Sequence, residues 1–508
     1  MAFSSLDIVA FVLFIGFVIG VSLWASRGQS TSEDYFLAGR NLPWWLIGFS
    51  LIASNISTEH FVGMAGRGYD LGLAIASYEW MAAVTLVLVG LWFLPKFLRL
   101  GIYTIPEYLE YRYDVGARTI MAAYLMLAYV FVALATVLYS GALALEAVFG
   151  IPTLPGIWLI GILAGLYTVI GGLRAVVWSD LIQGVTLLAG GVLVTVLGFR
   201  EIGGWAPFVE LAGDKLHTVL PFNHPEMPWV AVFIGGLWIP NMFYWGLNQF
   251  ITQRTLAAGS LADAQKGIFL AAWIKLIIPF IIVFPGIMAA SLYADQIELA
   301  DQAYPIMIRE LLPAGLTGIM FAALFGAVMS SLDSMLNSAA TIFTIDLFKR
   351  YKEPDATGAR LLKVGRTATG VLVVVSCLWA PVVASAESVF EYIQMFWGFI
   401  SPGIVAVFVF GFMNRRTPPW AAKGAMLMGV PVYGSLLFFL PDVAFLHHMM
   451  LTFVVLSAFM GLATVRSTFE APRLDEVEPV VDLKPARGAK FMAASVVAGV
   501  VVLYAVFF

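Results

Sequence analysis

Apolar residues run along this chain in long blocks separated by short polar stretches. A bilayer span needs about 20 predominantly apolar residues. Fourteen blocks meet that requirement: 5–25, 43–64, 71–95, 118–147, 153–170, 176–198, 229–250, 267–290, 314–345, 367–385, 388–411, 424–440, 449–465 and 491–508. The first has neither a basic leading region nor a small-residue cleavage site, so it reads as a helix and not as a signal peptide. The pattern therefore predicts an all-α polytopic membrane protein.

Lys and Arg orient the spans, because basic loops resist translocation. With the N-terminus outside, the cytoplasmic loops 26–42, 96–118, 171–175, 251–266, 346–366, 412–423 and 466–490 carry 23 of the 28 basic residues. The opposite loops carry only Arg67, Arg200, Lys215 and Arg309, and Lys275 lies within a span. Moving the topology by one helix would reverse this asymmetry, so both termini are expected outside. Neither the longest external loop, 199–228, nor the cytoplasmic stretch 466–490 is long or apolar enough to bury a core. The chain reads as one transmembrane domain, with its function inside the helices.

Composition excludes the other classes. Of 508 residues, 61% are hydrophobic and 12% charged, against about 45–50% and about 25% in a soluble chain. The mean hydropathy is +0.90. A net charge of −4 gives no reason to expect nucleic-acid binding. The single Cys377, in an apolar stretch, leaves no disulfide framework or Cys-based metal site. No nucleophile–base pair suggests an enzyme, and His217, His224, His447 and His448 lie in or beside external loops and read as surface residues.

The informative residues are the polar ones inside spans, because an ionisable group there is costly unless it meets a partner or water. They are Glu59, His60, Glu79, Asp180, Lys275, Asp333 and Asp346. Asp346, beside Lys349 and Arg350 at a cytoplasmic helix end, reads as a snorkelling or loop pair. Glu79 and Lys275, on separate spans, can satisfy each other. The run Ser54, Asn55, Ile56, Ser57, Thr58, Glu59, His60 places six polar residues in seven within the second span. Such side chains compete for backbone hydrogen bonds, and non-helical backbone at membrane depth is tolerated only against protein or in a cavity. A second interruption is expected at Trp238, Ile239, Pro240 and Asn241 in the seventh span, where Pro removes a helical hydrogen bond. Each of these spans is introduced by a Pro-Trp pair, Pro43-Trp44 and Pro228-Trp229, and they lie five spans apart. Interrupted helices in corresponding positions of two halves are the mark of an inverted-repeat transporter whose substrate site lies at the breaks. The ninth span carries Ser330, Ser331, Asp333, Ser334, Asn337 and Ser338, which serve equally as oxygen ligands for a hard cation or as interhelical contacts.

The stretches Ser32–Gly39, Ser50–Gly63, Gly72–Trp80, Gly171–Gln183, Tyr244–Leu256, Ser330–Thr344 and Ser401–Gly403 together strongly resemble the sodium/solute symporters, specifically a bacterial member of the sodium/sugar (glucose/galactose) cotransporter branch. The resemblance implies a LeuT-type five-plus-five inverted repeat, with repeats at 43–198 and 229–411, an extra first helix at 5–25 and three extra helices over 424–508. It implies Na⁺ held by the carbonyls of Ala53, Ile56 and Ala327 and the hydroxyls of Ser330 and Ser331. Asp180 matches a carboxylate associated with a second sodium position or the exit path, and Asp333 lies close to the helix face of Ser330. The polar residues matching those that hold sugar are Asn55, His60, Glu79, Asn241, Lys275 and Gln394, with Tyr244 as an aromatic cover and Trp245 beside it. The chain departs from bacterial galactose-transporting relatives at His60, Ala82 and Ala133, where they carry Gln, Ser and Asn. Glucose, another hexose or a polyol stays open.

The function expected is sodium-coupled sugar symport in a plasma membrane by alternating access. Asn55-Ile56-Ser57, the only glycosylation-like sequon, is buried in a span, which favours a bacterial inner membrane. The alternatives are a sodium symporter of the same fold for a polyol, amino acid, monocarboxylate or sialic acid, and a proton-coupled sugar carrier using His60 or Asp180.

Overall fold

The structure is a computed structural model that describes residues 4–27, 31–57, 59–385 and 389–508; a few side chains, including those of Glu59 and Gln394, also lie outside the described set. The described residues are helical almost throughout, with two isolated bridges, Leu42 to Ala258 and Ser260 to Asp482, and no strand. Among the described residues, twelve helices are long and apolar enough to cross a membrane. The shorter apolar helix Thr153–Leu166 accounts for the predicted fifth span, and the second span forms in two pieces, so each of the fourteen predicted spans has a helical counterpart.

Burial ranks these helices from centre to rim. Within its most apolar window the ninth span, Leu316–Lys352, is 89% buried, whereas the first, Ser5–Ala25, is 17% buried and the last, Ala489–Val506, is 28% buried. Leu6, Val12, Leu13, Phe491 and Val501 point outward, as expected of helices whose outer side meets lipid. At the centre the second and sixth spans pack against each other, and each also packs against the eighth and the ninth.

The second span breaks where its polar run predicts. Pro43 leads into a helix over Trp44–Asn55, and Ile56 is extended at φ −75° and ψ 98°. The chain then re-enters a wide turn at Glu59–Met64 and a last helix at Ala65–Asp70. The wide turn is a π-type segment, the sort of helix irregularity that concentrates at functional sites.

The seventh span is also interrupted, though not at Pro240. It comprises Trp229–Phe233, Trp238–Met242, a wide turn at Phe243–Leu247 and a helix at Gln249–Leu256. Pro240 falls in the first turn of its piece, where an amide has no acceptor within the helix and Pro is tolerated. The breaks lie on either side. One is the turn at 234–237, where a Cβ on Gly236 would sit 1.7 Å from the Leu446 carbonyl oxygen. The other is Asn248, extended at φ −84° and ψ 122°.

A second glycine divides the 50-residue helix Thr153–Ile202 into the fifth and sixth spans. Gly172 takes φ 50° and ψ −153°, and a Cβ there would be 2.4 Å from the Tyr35 carbonyl oxygen. Only glycine meets both conditions.

Candidate functional site

The break in the second span ends the helix Trp44–Asn55 at an extended Ile56, and it turns consecutive residues toward two different neighbours. Asn55 joins one polar cluster and Ala53 with Ser54 joins another.

The first cluster lies among the second, third, seventh and eighth spans. Lys275 Nζ donates to Glu79 Oε2 at 2.5 Å and also to Asn55 Oδ1. Its ammonium lies 4.8 Å from the centre of the Trp245 ring, within cation–π range. Asn55 Nδ2 donates to the Tyr244 hydroxyl at 3.1 Å, and Tyr244 and Trp245 meet edge to face at 5.2 Å. His60 Nε2 is 3.4 Å from Glu79 Oε1, and His60 Nδ1 is buried with no partner among the described residues. Lys275 is fully buried and Glu79 is 3% exposed. A buried charge is stable there only because its opposite is in contact. Six of the eight residues expected to hold a solute are thus brought together. Asn241 is buried on the same interrupted helix, but its amide donates to the Leu237 carbonyl at 3.1 Å, within its own segment. The side chain of Gln394 lies outside the described residues.

The second cluster lies among the second, sixth and ninth spans. Ser330 Oγ approaches the Ala53 carbonyl at 3.4 Å, which sets the freed end of the second span directly against the hydroxyl pair of the ninth. Ser330, Ser331 and Ala327 are all buried, and Ala327 precedes the two serines by three and four residues on the same helix. This arrangement offers carbonyl and hydroxyl oxygens from two helices without a full charge among them, a donor set suited to a monovalent ion.

Asp180 lies beside this set with four hydrogen bonds. Ser50 and Ser54 donate to Oδ2 at 2.5 and 3.0 Å, Ser330 donates to Oδ1 at 2.5 Å, and Arg254 Nη2 donates to Oδ2 at 3.0 Å. Arg254 is fully buried, and it also bonds Ser50 at 2.6 Å, Ser334 and the Phe250 carbonyl. Sequence reasoning missed it, counting it as a loop cation in 251–266. The available signal was the density of polar residues around it, with Asn248, Gln249 and Gln253 beside a helix break. Asp333 turns instead to the fifth span, where Thr168 Oγ1 donates to its Oδ1 at 2.9 Å.

Two other expectations change. Asp346 is fully buried rather than snorkelling, held by Arg118 at 2.6 Å and Thr104 at 2.9 Å. Arg118 also pairs with Glu110 at 2.7 Å, so this is a packed charge network at a helix end. His448 is 1% exposed, with Nε2 2.9 Å from the Leu440 carbonyl, and is a helix-capping core residue rather than a surface one. Away from both clusters, a cleft of about 660 Å³ between Val219–Pro221, Trp229, Phe233 and the last helix is lined by apolar side chains.

Known proteins place this geometry. The sodium:solute symporter family model matches residues 35–430. The sodium/glucose cotransporter of Vibrio parahaemolyticus is 44% identical over 495 residues, covering 91% of both chains. The sodium/myo-inositol cotransporter 2 of Sus scrofa is 35% identical over 84% of this chain and 68% of its own. A solved structure of a Na⁺-coupled sialic acid symporter, substrate-bound and outward-open, aligns with a TM-score of 0.82 at 22% identity, over 92% of this chain and 99% of that one. The last likeness shows the shared fold, which is the LeuT type that the family resemblance implied. With the family model spanning most of its length and a relative this similar along nearly all of it, the chain belongs to the sodium:solute symporter family.

Proposed function

We propose that this chain carries a sugar across a bacterial inner membrane together with Na⁺, by alternating access. As a family member it is a multi-pass membrane transporter coupled to sodium and not an enzyme. The observation that carries the fuller reading is the shared break: Ala53, Ser54 and Asn55, three consecutive residues, touch both clusters. An ion that fixes the carbonyl end of this helix also fixes Asn55 in the other cluster.

In this reading Asn55, His60, Glu79 and Lys275, with Asn241 and Gln394, bind the hydroxyls of the sugar. Glu79 accepts, Lys275 donates, and the amides do both. His60 Nδ1 has its hydrogen-bonding capacity free for a solute hydroxyl. Tyr244, tethered by Asn55, covers the ring, with Trp245 beneath Lys275. Sodium is held by the carbonyls of Ala53, Ile56 and Ala327 and the hydroxyls of Ser330 and Ser331. Asp180, already neutralised by Arg254, fits the exit path better than a second sodium site. Asp333, tied to the fifth span, fits neither role directly. The repeats span 43–198 and 229–411, flanked by the helices over 5–25 and 424–508, with both termini outside.

Coupling is thermodynamic. One Na⁺ crossing about 100 mV contributes about 2.3 kcal/mol, and a tenfold gradient adds about 1.4 kcal/mol. Ser331→Ala removes one ligand without touching the other cluster. It is expected to raise the half-saturating Na⁺ concentration for uptake by about tenfold, the factor that 1.4 kcal/mol represents. Hexose affinity at saturating Na⁺ is expected to stay unchanged.

The solute is tested by competing unlabelled compounds against a labelled hexose in proteoliposomes. Hexoses are expected to compete. The pig relative's name supports a cyclic polyol as the second reading, and displacement by myo-inositol but not by glucose would select it. Displacement by sialic acid or an amino acid alone would contradict both. Uptake driven by an imposed pH gradient without Na⁺ would select the proton-coupled alternative.

A further inference from the structure

Gln183 has no role in either cluster, yet it is 1% exposed and neither Nε2 nor Oε1 has a hydrogen-bond partner among the described residues. Leaving a buried amide unpaired is costly at both its donor and its acceptor. Its surroundings are specific. It stands one turn beyond Asp180 on the sixth span and presses on the ninth at Gly326. A Cβ placed on Gly326 would lie 2.8 Å from Gln183 Cγ and 3.1 Å from Nε2, so the glycine leaves room for this side chain. The next residue, Gly184, packs on the second span so closely that a Cβ would lie 2.7 Å from that of Ala53. At Gln183 and Gly184 the sixth span therefore meets both elements assigned to sodium: through Gly184, Ala53 on one, and through Gln183, Gly326 on the other, which directly precedes Ala327.

We propose that Gln183 is a further sodium ligand, its carboxamide oxygen joining the set formed by Ala53, Ile56, Ala327, Ser330 and Ser331. The chemistry fits: a neutral amide oxygen is a hard donor, adding coordination without the full charge that favours a divalent ion. It also ties a third helix to the ion, so that sodium binding draws the second, sixth and ninth spans together. This inference rests on the sodium reading given above.

The test uses the full chain in proteoliposomes, with Na⁺ and Li⁺ as probes and Ser331→Ala as reference. Gln183→Leu, of similar size and without the oxygen, is expected to raise the half-saturating Na⁺ by about tenfold while hexose KM at saturating Na⁺ stays within about twofold. Gln183→Glu, which keeps the oxygen, is expected to restore tight Na⁺ dependence and to change the preference for Na⁺ over Li⁺. A half-saturating Na⁺ unchanged in Gln183→Leu but raised in Ser331→Ala would overturn the inference and leave the sodium site standing. No change in either variant would overturn the sodium site itself. If Gln183→Leu does not fold, Gln183→Glu decides alone: unchanged Na⁺ affinity and unchanged Na⁺ over Li⁺ preference would reduce the side chain to packing.

Discussion

Replacing Glu79 by Gln is expected to abolish sugar transport while leaving Na⁺ binding intact. Glu79 is the hub of its cluster, accepting from Lys275 at 2.5 Å and facing His60 at 3.4 Å. The substitution keeps the shape but removes the charge, which leaves Lys275 buried with no carboxylate. Removing one partner of a buried ion pair costs about 3–5 kcal/mol, and a solute hydroxyl deprived of its acceptor loses about 1–3 kcal/mol more. The first effect weakens the fold around the site and the second opposes sugar binding directly, so affinity should fall by up to about 100-fold. Na⁺ binding, read as the rise in thermal unfolding temperature on adding Na⁺, should persist because the oxygens around Ser330 belong to other spans. A charge-neutral double variant, Glu79→Gln with Lys275→Met, separates folding from function. It should recover thermal stability without recovering transport. Loss of the Na⁺-induced stabilisation in both variants would mean that the two clusters are not distinct sites.

Arg254→Ala is expected to have the largest effect on stability. Four side chains converge on Asp180, but only Arg254 brings positive charge, and both partners are fully buried. Its removal strands a carboxylate at membrane depth, at about 3–5 kcal/mol. In purified protein this should appear as a marked fall in unfolding temperature and loss of uptake. Asp180→Asn added to Arg254→Ala should recover part of that stability, because coupling energies between contacting residues reach about 0.5–3 kcal/mol. Stability in Arg254→Ala equal to that of the parent would show that the pair is not the structural charge balance described.

The residues that were readable from sequence share a physical reason. Spans are legible because the bilayer demands an apolar run of fixed length, and the break after Asn55 is legible because six polar residues cannot sit in a lipid-facing helix. Lys275 and Glu79 stood out as opposite charges isolated among apolar residues, and the structure joins them. Proline misled at position 240 because its effect depends on its place within a helix segment, and segment boundaries are set by neighbours such as the Leu446 carbonyl pressing on Gly236. Arg254 and Asp346 were misread for a related reason. Each lies near a helix end and passes for a loop residue, and burial comes from partners distant in sequence, Asp180 for one and Arg118 for the other. Charge counting orients loops, but it does not separate a cation in water from one folded back into the core. Moving Arg254 out of the loop count lowers the cytoplasmic total by one and leaves the asymmetry that orients the chain.

A sodium gradient is expected to drive sugar across the membrane through this chain. The direct measurement is uptake of a labelled hexose by proteoliposomes under an inward Na⁺ gradient, repeated with choline in place of Na⁺. Accumulation above the external concentration with Na⁺, and equilibration no faster than protein-free vesicles with choline, is the predicted result. Equal uptake in Na⁺ and choline would contradict it.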